Sequence, residues 1–329
     1  MKNILNQLYN QESLTRAQAT DVLTHISEGK MNASEIVSFI TVYLMRCITV
    51  DELMGFRDAM LNMAITIDTE MDTIDLCGTG GDGKNTFNVS TLSSFIVAAS
   101  GIPVAKHGNY GVSSVSGSSN VMEYFGYKFS ADQDKLKREL DQCKISFLHA
   151  PLFHPSLKAV SSIRRDLGIK TFFNMLGPLV NPAMPKYKYT GVFSLSLARL
   201  YHYVFQQSNE KYCVIYGHDG YDEISLTSSF RMYSNDFAGD KYPVDLGFEI
   251  ISPQLLLGGD TVATSAATFK EILEGKACQD KLNVVAANAG LAIHTADPHK
   301  SLSDCIQSAM EILISGRASQ TFNKLIAIQ

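Results

Sequence analysis

A short apolar run, Ile74-Asp75-Leu76-Cys77, passes without a spacer into Gly78-Thr79-Gly80-Gly81-Asp82-Gly83-Lys84-Asn85-Thr86, and a helical pattern follows from about Val89 to Ala99. Strand, glycine turn and helix in that order commit this part of the chain to an α/β architecture, since such a turn joins a buried strand to the helix that covers it. A second apolar run, Ile102-Pro103-Val104-Ala105, leads into Lys106-His107-Gly108-Asn109 and then into Ser113-Ser114-Val115-Ser116-Gly117-Ser118-Ser119. Between Asp82 and Glu123 there is no carboxylate. Amides bared by glycine, hydroxyls, Lys106, His107 and a helix N-terminus near Asn88 or Ser90 are groups that take up phosphate oxygens without repelling them.

Two familiar glycine patterns fit only in part. Gly78, Gly80 and Gly83 satisfy G-x-G-x-x-G, but a dinucleotide site expects an acid about 20 residues on to hold the ribose. That position falls at Val104-Ala105-Lys106, which has none. Gly78 through Lys84 also reads G-x-x-x-x-G-K, yet Asn85 stands where Ser or Thr should be. The bland alternative, a purely structural turn, is weakened by the acid-free run that follows it.

The 329 residues, 45% of them hydrophobic and 19% charged, suffice for two domains with a large core. A net charge of −5 argues against nonspecific nucleic-acid binding, so any polyanion taken up should be small. The six cysteines form no Cys-x-x-Cys pair and read as small buried hydrophobes in a reducing compartment. No apolar run reaches the roughly 18 residues of a membrane span and no cationic, apolar leader opens the chain, so a cytoplasmic location is expected.

Residues 1–68 read as a helical domain. Thr15 with Gln18, Asn32 with Glu35, and Thr49 with Glu52 are three capping boxes, each predicting a helix with an apolar face. These faces need cover from the second domain, a second copy of the chain, or both. Residues 69–329 then alternate as an α/β domain: helix over 132–142, strand over 145–149, helix over 155–163 running into Arg164-Arg165-Asp166. The proline-broken segment Thr171 to Pro182 reads as a crossing between domains, and part of 165–188 should complete the helical one. Strands at 190–193 and 212–216 flank a helix near 197–207, strands and irregular chain occupy 241–258, and helices over 282–296 and 302–316 close the chain. The fold class is thus α/β, a small helical N-terminal domain beside a larger one with a central, mostly parallel sheet flanked by helices.

Asp222-Glu223 follows an Asp-Gly turn at the end of a buried-looking strand. Taken alone it is a solvated loop pair, but Mg²⁺ uses one or two carboxylates and leaves the rest of its shell to water and substrate phosphates, so beside a phosphate cradle the pair suits that ion. His107 and His154 have no neighbour resembling an activated nucleophile. Arg164 and Arg165 are either surface charge or the fork that a planar carboxylate calls for.

Gly78-Thr-Gly-Gly-Asp82, Asn88-Val-Ser-Thr91, Lys106-His-Gly-Asn109, the serine pairs around Val115, the Arg164 to Pro182 segment and Asp222-Glu223 together resemble the anthranilate phosphoribosyltransferase family over nearly the whole chain. The resemblance implies transfer of the phosphoribosyl group of phosphoribosyl pyrophosphate to anthranilate, the second step of tryptophan biosynthesis, by a homodimer joined through the helical domain. It implies that Gly78, Gly81, Asp82, Thr86, Asn88, Val89, Ser90, Thr91, Lys106, His107, Gly108, Asn109, Ser113, Ser114 and Ser118 hold phosphoribosyl pyrophosphate. Gly78, Asn109, His154 and Arg164 would hold anthranilate, and Ser90, Asp222 and Glu223 Mg²⁺, two ions per subunit bound with substrate. Tyr110, Val115 and Asn120 depart from the pattern, where Arg, Lys and Asp are common, which removes two cations from the phosphate region. A pyrimidine nucleoside phosphorylase and a nucleic-acid-binding relative are the alternative readings; the second should be basic and should lack the acidic pair.

Overall fold

The N-terminal capping boxes set the bundle. Thr15, Asn32 and Thr49 each accept the amide three residues on, while Gln18, Glu35 and Glu52 reach back to the cap amide, starting α2 (Arg16–Ser27), α3 (Ala33–Met45) and α4 (Val50–Asn62). A further helix, α1 (Lys2–Tyr9), precedes them; its N-cap, Met1, makes no side-chain cap bond, so the sequence carries no start signal for it. Glu52 does more than cap, because its fully buried carboxylate also accepts from the Leu14 amide, the Tyr43 hydroxyl and Arg46. One acid therefore fastens α3, α4 and the turn before α2.

The computed structural model describes residues 1–111 and 116–329, so the expectations for Ser113, Ser114 and Val115 lie outside the described residues. The second part is built on a seven-stranded sheet of order β3-β2-β1-β4-β5-β6-β7. Its strands are β1 (Ile74–Leu76), β2 (Val104–Gly108), β3 (Ile145–His149), β4 (Tyr187–Gly191), β5 (Lys211–Gly217), β6 (Phe230–Ser234) and β7 (Ala238–Lys241). The first five in chain order pair in parallel and the last two antiparallel, which is the mostly parallel sheet expected. Helices α5 (Val89–Ala99), α6 (Ser118–Tyr124), α7 (Gln133–Cys143), α8 (Ala150–Phe153), α9 (Lys158–Leu167) and α10 (Leu195–Gln206) connect the strands, and α11 (Val262–Leu273), α12 (Gln279–Ala296), α13 (Leu302–Ile314) and α14 (Arg317–Ala327) close the chain.

Several boundaries differ from the sequence reading. The strands expected beyond Lys241 lie before it, as the β6-β7 hairpin; Pro243 and Pro253 instead open short 3₁₀ turns, because proline supplies no amide to a ladder. Helix α11, capped by Thr261, has no counterpart in the sequence reading, and beyond Gly316, with φ of +76°, where the expected last helix ends, the chain forms a further helix, α14. Cys143, Cys213 and Cys305 are buried, but Cys47 and Cys278 are exposed, so the reading of all six as core residues is corrected.

Two large apolar clusters share the sheet. One packs α5, α12, α13 and α14 on one side. The other runs from the bundle through Phe172, Phe173, Leu176 and Leu179 of the crossing segment to α10 and to Val214 and Tyr233 of the sheet. The bundle's apolar faces are thereby covered largely from within the chain, with Phe172 stacked on Phe56 and edge-on to Phe39 and Tyr43. Leu44 and Met45 remain exposed on α3.

Candidate active site

In the sheet order, β1 lies between β2 and β4, so successive connections leave it in opposite directions. A crevice opens at the carboxyl ends of parallel strands at such a switch point. Here β1 ends at Leu76, two residues before Gly78, β2 ends in Lys106-His107-Gly108, and β5 runs into the turn before Asp222. The crossing segment and Met60 of α4 close the other side.

The glycine turn is shaped by backbone that side chains rarely adopt: Gly80 and Gly81 have φ of +60° and +80°. It is held by the Thr79 amide on the Gly191 carbonyl at 2.9 Å and by the Lys84 amide on the Asp82 carboxylate at 3.0 Å. A Cβ on Gly191 would fall 1.5 Å from the Asp222 carbonyl oxygen, so the absence of a side chain at the end of β4 is what lets the acidic pair into the crevice. Helix α5 begins without a side-chain cap. Asn88 turns its amide nitrogen instead to the Ser116 carbonyl at 2.9 Å, leaving the first-turn amides to other acceptors.

Three carboxylates meet beside these amides. Burial pushes the Asp222 carboxyl up to about 7, helped by the Asp82 charge, and burial with the Asp222 charge pushes Glu223 well above its ordinary value. Asp82 is also raised by burial. The Gly80 amide relieves Asp222, while Lys106 and the Ser90 amide relieve Glu223. The first turn of α5, expected to receive a phosphate, thus already faces one anion of the protein. Lys106, 2% exposed, donates to the Leu76 carbonyl and lies 3.4 Å from the Ser90 hydroxyl.

Two buried histidines stand edge to face, His107 and His154, with ring centroids 5.3 Å apart. Burial holds them neutral, lowering His107 to about 3 and His154 to about 4. His107 Nδ1 is 2.9 Å from the Gly177 carbonyl, which can only accept, so the proton sits on Nδ1 and Nε2 is left as an unpaired acceptor. Arg164, in the last turn of α9, lies 5.3 Å over the Phe173 ring, with no ion pair among the described residues; burial lowers its affinity for its proton.

The structure brings Gly78, Gly81, Asp82, Thr86, Asn88, Val89, Ser90, Thr91, Lys106, His107, Gly108, Asn109 and Ser118 to one cleft, together with His154, Arg164, Asp222 and Glu223. Arg165 is exposed and lies outside it. Sequence reasoning passed over Phe173, Leu176, Pro178 and Val180, which supply the apolar part of the lining, and Asn174 beside them. Their signal was present: aromatic and branched residues in a stretch too broken by proline for a regular element, just beyond an arginine pair.

The sequence matches the glycosyl transferase family helical bundle domain over residues 2–64 and the glycosyl transferase family a/b domain over residues 70–319. It is 52% identical to an anthranilate phosphoribosyltransferase of Flavobacterium psychrophilum, over 99% of this chain and 98% of that protein. The corresponding protein of Cytophaga hutchinsonii is 50% identical, over 99% of this chain and 100% of the relative. Among solved structures, the anthranilate phosphoribosyltransferase of Thermus thermophilus superposes with a TM-score of 0.91 at 29% identity, covering 98% of both chains. That of Saccharomyces cerevisiae in complex with phosphoribosyl pyrophosphate and Mg superposes at 0.90, over 98% of this chain and 96% of that one; at 24% identity it speaks for the fold alone.

This chain belongs to the anthranilate phosphoribosyltransferase family. The expected family, fold class and reaction are borne out with it.

The departures from the family pattern acquire a structural account. The Tyr110 hydroxyl donates to Glu123 at 2.7 Å and its ring stands edge-on to His149. Asn120 accepts the amides of Gly111 and Gly117, each at 3.0 Å. Tyr110 and Asn120 thus make hydrogen bonds to their described neighbours rather than adding positive charge.

Proposed function

We propose that the cleft transfers the phosphoribosyl group of phosphoribosyl pyrophosphate to the amine of anthranilate, releasing pyrophosphate. The observation that carries the reading is the convergence of the glycine turn, Lys106 and the Asp222-Glu223 pair on one side of a cleft whose other side is apolar around Arg164, which has no ion pair among the described residues. A polyanion with a charged leaving group suits the first side, and a planar aromatic carboxylate suits the second.

In this reading Gly78, Gly81, Asp82, Thr86, Asn88, Val89, Ser90, Thr91, Lys106, His107, Gly108, Asn109 and Ser118, with Ser113 and Ser114, hold the phosphoribosyl donor. Arg164 pairs with the anthranilate carboxylate, while Gly78, Asn109 and His154 bound its ring and amine. The aromatic amine is neutral near pH 7, so it needs orientation more than deprotonation, and neutral His107 and His154 supply a setting without competing positive charge.

The acids fit Mg²⁺. Their carboxyls are raised by burial and mutual charge, a strain a divalent cation relieves, yet among the described residues no three His, Cys, Asp or Glu side chains stand in metal-holding geometry. Ser90, Asp222 and Glu223 would hold two ions only together with substrate oxygens. Bound there, Mg²⁺ would neutralise the pyrophosphate as it departs.

The division into residues 1–68 and 69–329, with part of 165–188 completing the bundle, belongs to this proposal, as does a homodimer through the helical domain. The former is supported by Phe172 and Phe173 in the bundle's core and the latter by exposed Leu44 and Met45. No helix among the described residues is long and apolar enough to cross a membrane, and we place the reaction in the cytoplasm, without nucleic acid. Loss of anthranilate fluorescence with phosphoribosyl pyrophosphate and Mg²⁺ tests the reading. Turnover of thymidine with phosphate in its place would overturn it.

A further inference from the structure

The carboxylate of Asp75 takes no part in the reaction outlined above, yet it is bonded to both sides of the cleft. It lies on β1, 2% exposed. One oxygen accepts the His107 amide at 3.1 Å and the other accepts Asn181 Nδ2 at 2.8 Å. Asn181 is itself buried; the same nitrogen donates to the Ala105 carbonyl at 2.8 Å, and its side-chain oxygen accepts the Ala183 amide at 2.9 Å. The His107 ring then reaches the Gly177 carbonyl. One acid thus joins the tip of β2, which carries Lys106 to Asn109, to the crossing segment, which carries the apolar lining.

Its charge is placed as deliberately as its hydrogen bonds. Burial lifts the Asp75 carboxyl to about 6, and the charges of Lys106 and Lys188, both buried, offset only part of that cost. Lys188 is followed at 3.5 Å by Glu210, and Glu210 at 3.0 Å by Arg57 of α4, in the helical bundle. On the other side Lys106 faces Glu223. Charges of alternating sign therefore run from the bundle, beneath the sheet ends, to the acidic pair in the cleft. A buried ionic group is a poor device for stability alone, since a well-packed apolar replacement often does as well. Bonds that end one residue from cleft-lining groups on two sides call for another account.

We infer that Asp75 is a positioning residue, which fixes the phosphate-binding tip of β2 against the crossing segment and so sets the distance between donor and acceptor substrates. The inference rests on the reaction proposed above. Displacements of about 1 Å between reacting groups lower rates by roughly 100-fold, so loss of the tie should be visible in catalysis before it is visible in the fold.

In Asp75→Asn the side-chain oxygen can still accept the His107 amide, but its nitrogen meets the Asn181 nitrogen, donor against donor, and the charge that Lys106 and Lys188 act on is lost. Purified Asp75→Asn with a cooperative melt should show kcat/KM reduced roughly 10- to 100-fold for both substrates. The exchange Asp75→Asn with Asn181→Asp restores one donor, one acceptor and a charge but sets a carboxylate oxygen against the Ala105 carbonyl, so it should recover part of that loss, which a purely structural role would not require. Should Asp75→Asn fail to fold, Asn181→Ser keeps the carboxylate and cuts the tie, and a fall in kcat/KM for both substrates is expected from it. Wild-type kcat/KM in folded Asp75→Asn or in Asn181→Ser would overturn the inference. So would a lowered KM for phosphoribosyl pyrophosphate alone, the mark of a carboxylate that merely opposes the phosphates. A wild-type protein inactive in the anthranilate assay would sink the reaction itself, whereas active wild type with unaffected variants sinks only the role of Asp75.

Discussion

On the sheet side of the cleft the charged groups already have partners, whereas across from them Arg164 and His154 have none among the described side chains. Lys106 is satisfied by the Leu76 carbonyl and lies by the Ser90 hydroxyl, Glu223 by Lys106 and the Ser90 amide, and Asp222 by the Gly80 amide. Arg164 rests on Phe173 with its charge unopposed, and both nitrogens of His154 are unpaired. The difference shows how each side meets its ligand. A polyanion entering the sheet side must exchange one set of electrostatic partners for another, so binding there depends on a cation that arrives with it. A benzoate entering the other side meets a guanidinium partly shielded from water, and a single charge-assisted contact carries much of its affinity.

The acidic pair should give the largest effect. Asp222→Asn and Glu223→Gln are each expected to lower kcat/KM on the order of 100-fold or more and to flatten the Mg²⁺ dependence of phosphoribosyl pyrophosphate binding, read by calorimetry. Mg²⁺ alone should bind the free protein weakly, because substrate oxygens complete its shell. Tight binding without substrate would put the pair on the footing of the opposite side, complete before its ligand arrives.

Arg164→Ala comes next, with an anthranilate KM raised about 10- to 150-fold, the value of one lost charge-assisted bond, and little change in affinity for phosphoribosyl pyrophosphate. An unchanged anthranilate KM would remove the distinction between the two sides. Gly81→Val should follow at about 10-fold or more in activity, since φ of +80° strains a branched residue and its Cβ would lie 3.3 Å from the Lys170 side chain. Thermal melts should move less than activity does; a collapse of the fold would return the turn to a structural role.

The smallest effect concerns pH. The folded protein keeps His154 neutral down to about 4, while an unfolded chain takes up the proton near its ordinary value of 6.5. The unfolded state therefore binds more protons between those limits, and the stability due to neutral His154 is full above about pH 6.5 and lost as pH falls toward 4. His154→Gln lacks this response and should lose less stability than wild type between pH 7.5 and 5, by about 2 kcal/mol at most, in urea melts.

How much of this was legible in the sequence differs between the same two sides. On the sheet side the glycine turn, Lys106 and Asp222-Glu223 stood out in the sequence and lie in one cleft, and local signals such as the Asp132 cap of α7 mark element ends, whereas the part each residue plays came only from the family resemblance. Asp75 escaped notice there, since an acid in a three-residue buried strand is informative only once its partners at positions 107 and 181 are brought together by the sheet. On the apolar side only His154 and Arg164 were named, and the aromatic and branched residues of the crossing segment carried a signal without a position. Its residues are distinguished by where the crossing segment lays them, and proline says that a regular element stops without saying what the freed chain will line. The β6-β7 hairpin was missed for the opposite reason, its local strand signal being overshadowed by the proline-rich chain that follows.

The division between the sides is tested most directly by one set of steady-state measurements: the KM of each substrate for wild type, Arg164→Ala and Asp222→Asn, followed by anthranilate fluorescence at saturating Mg²⁺. Arg164→Ala should raise the anthranilate KM alone, and Asp222→Asn should act through phosphoribosyl pyrophosphate while leaving the anthranilate KM near its wild-type value. Equal effects of either substitution on both constants would contradict a cleft divided by substrate.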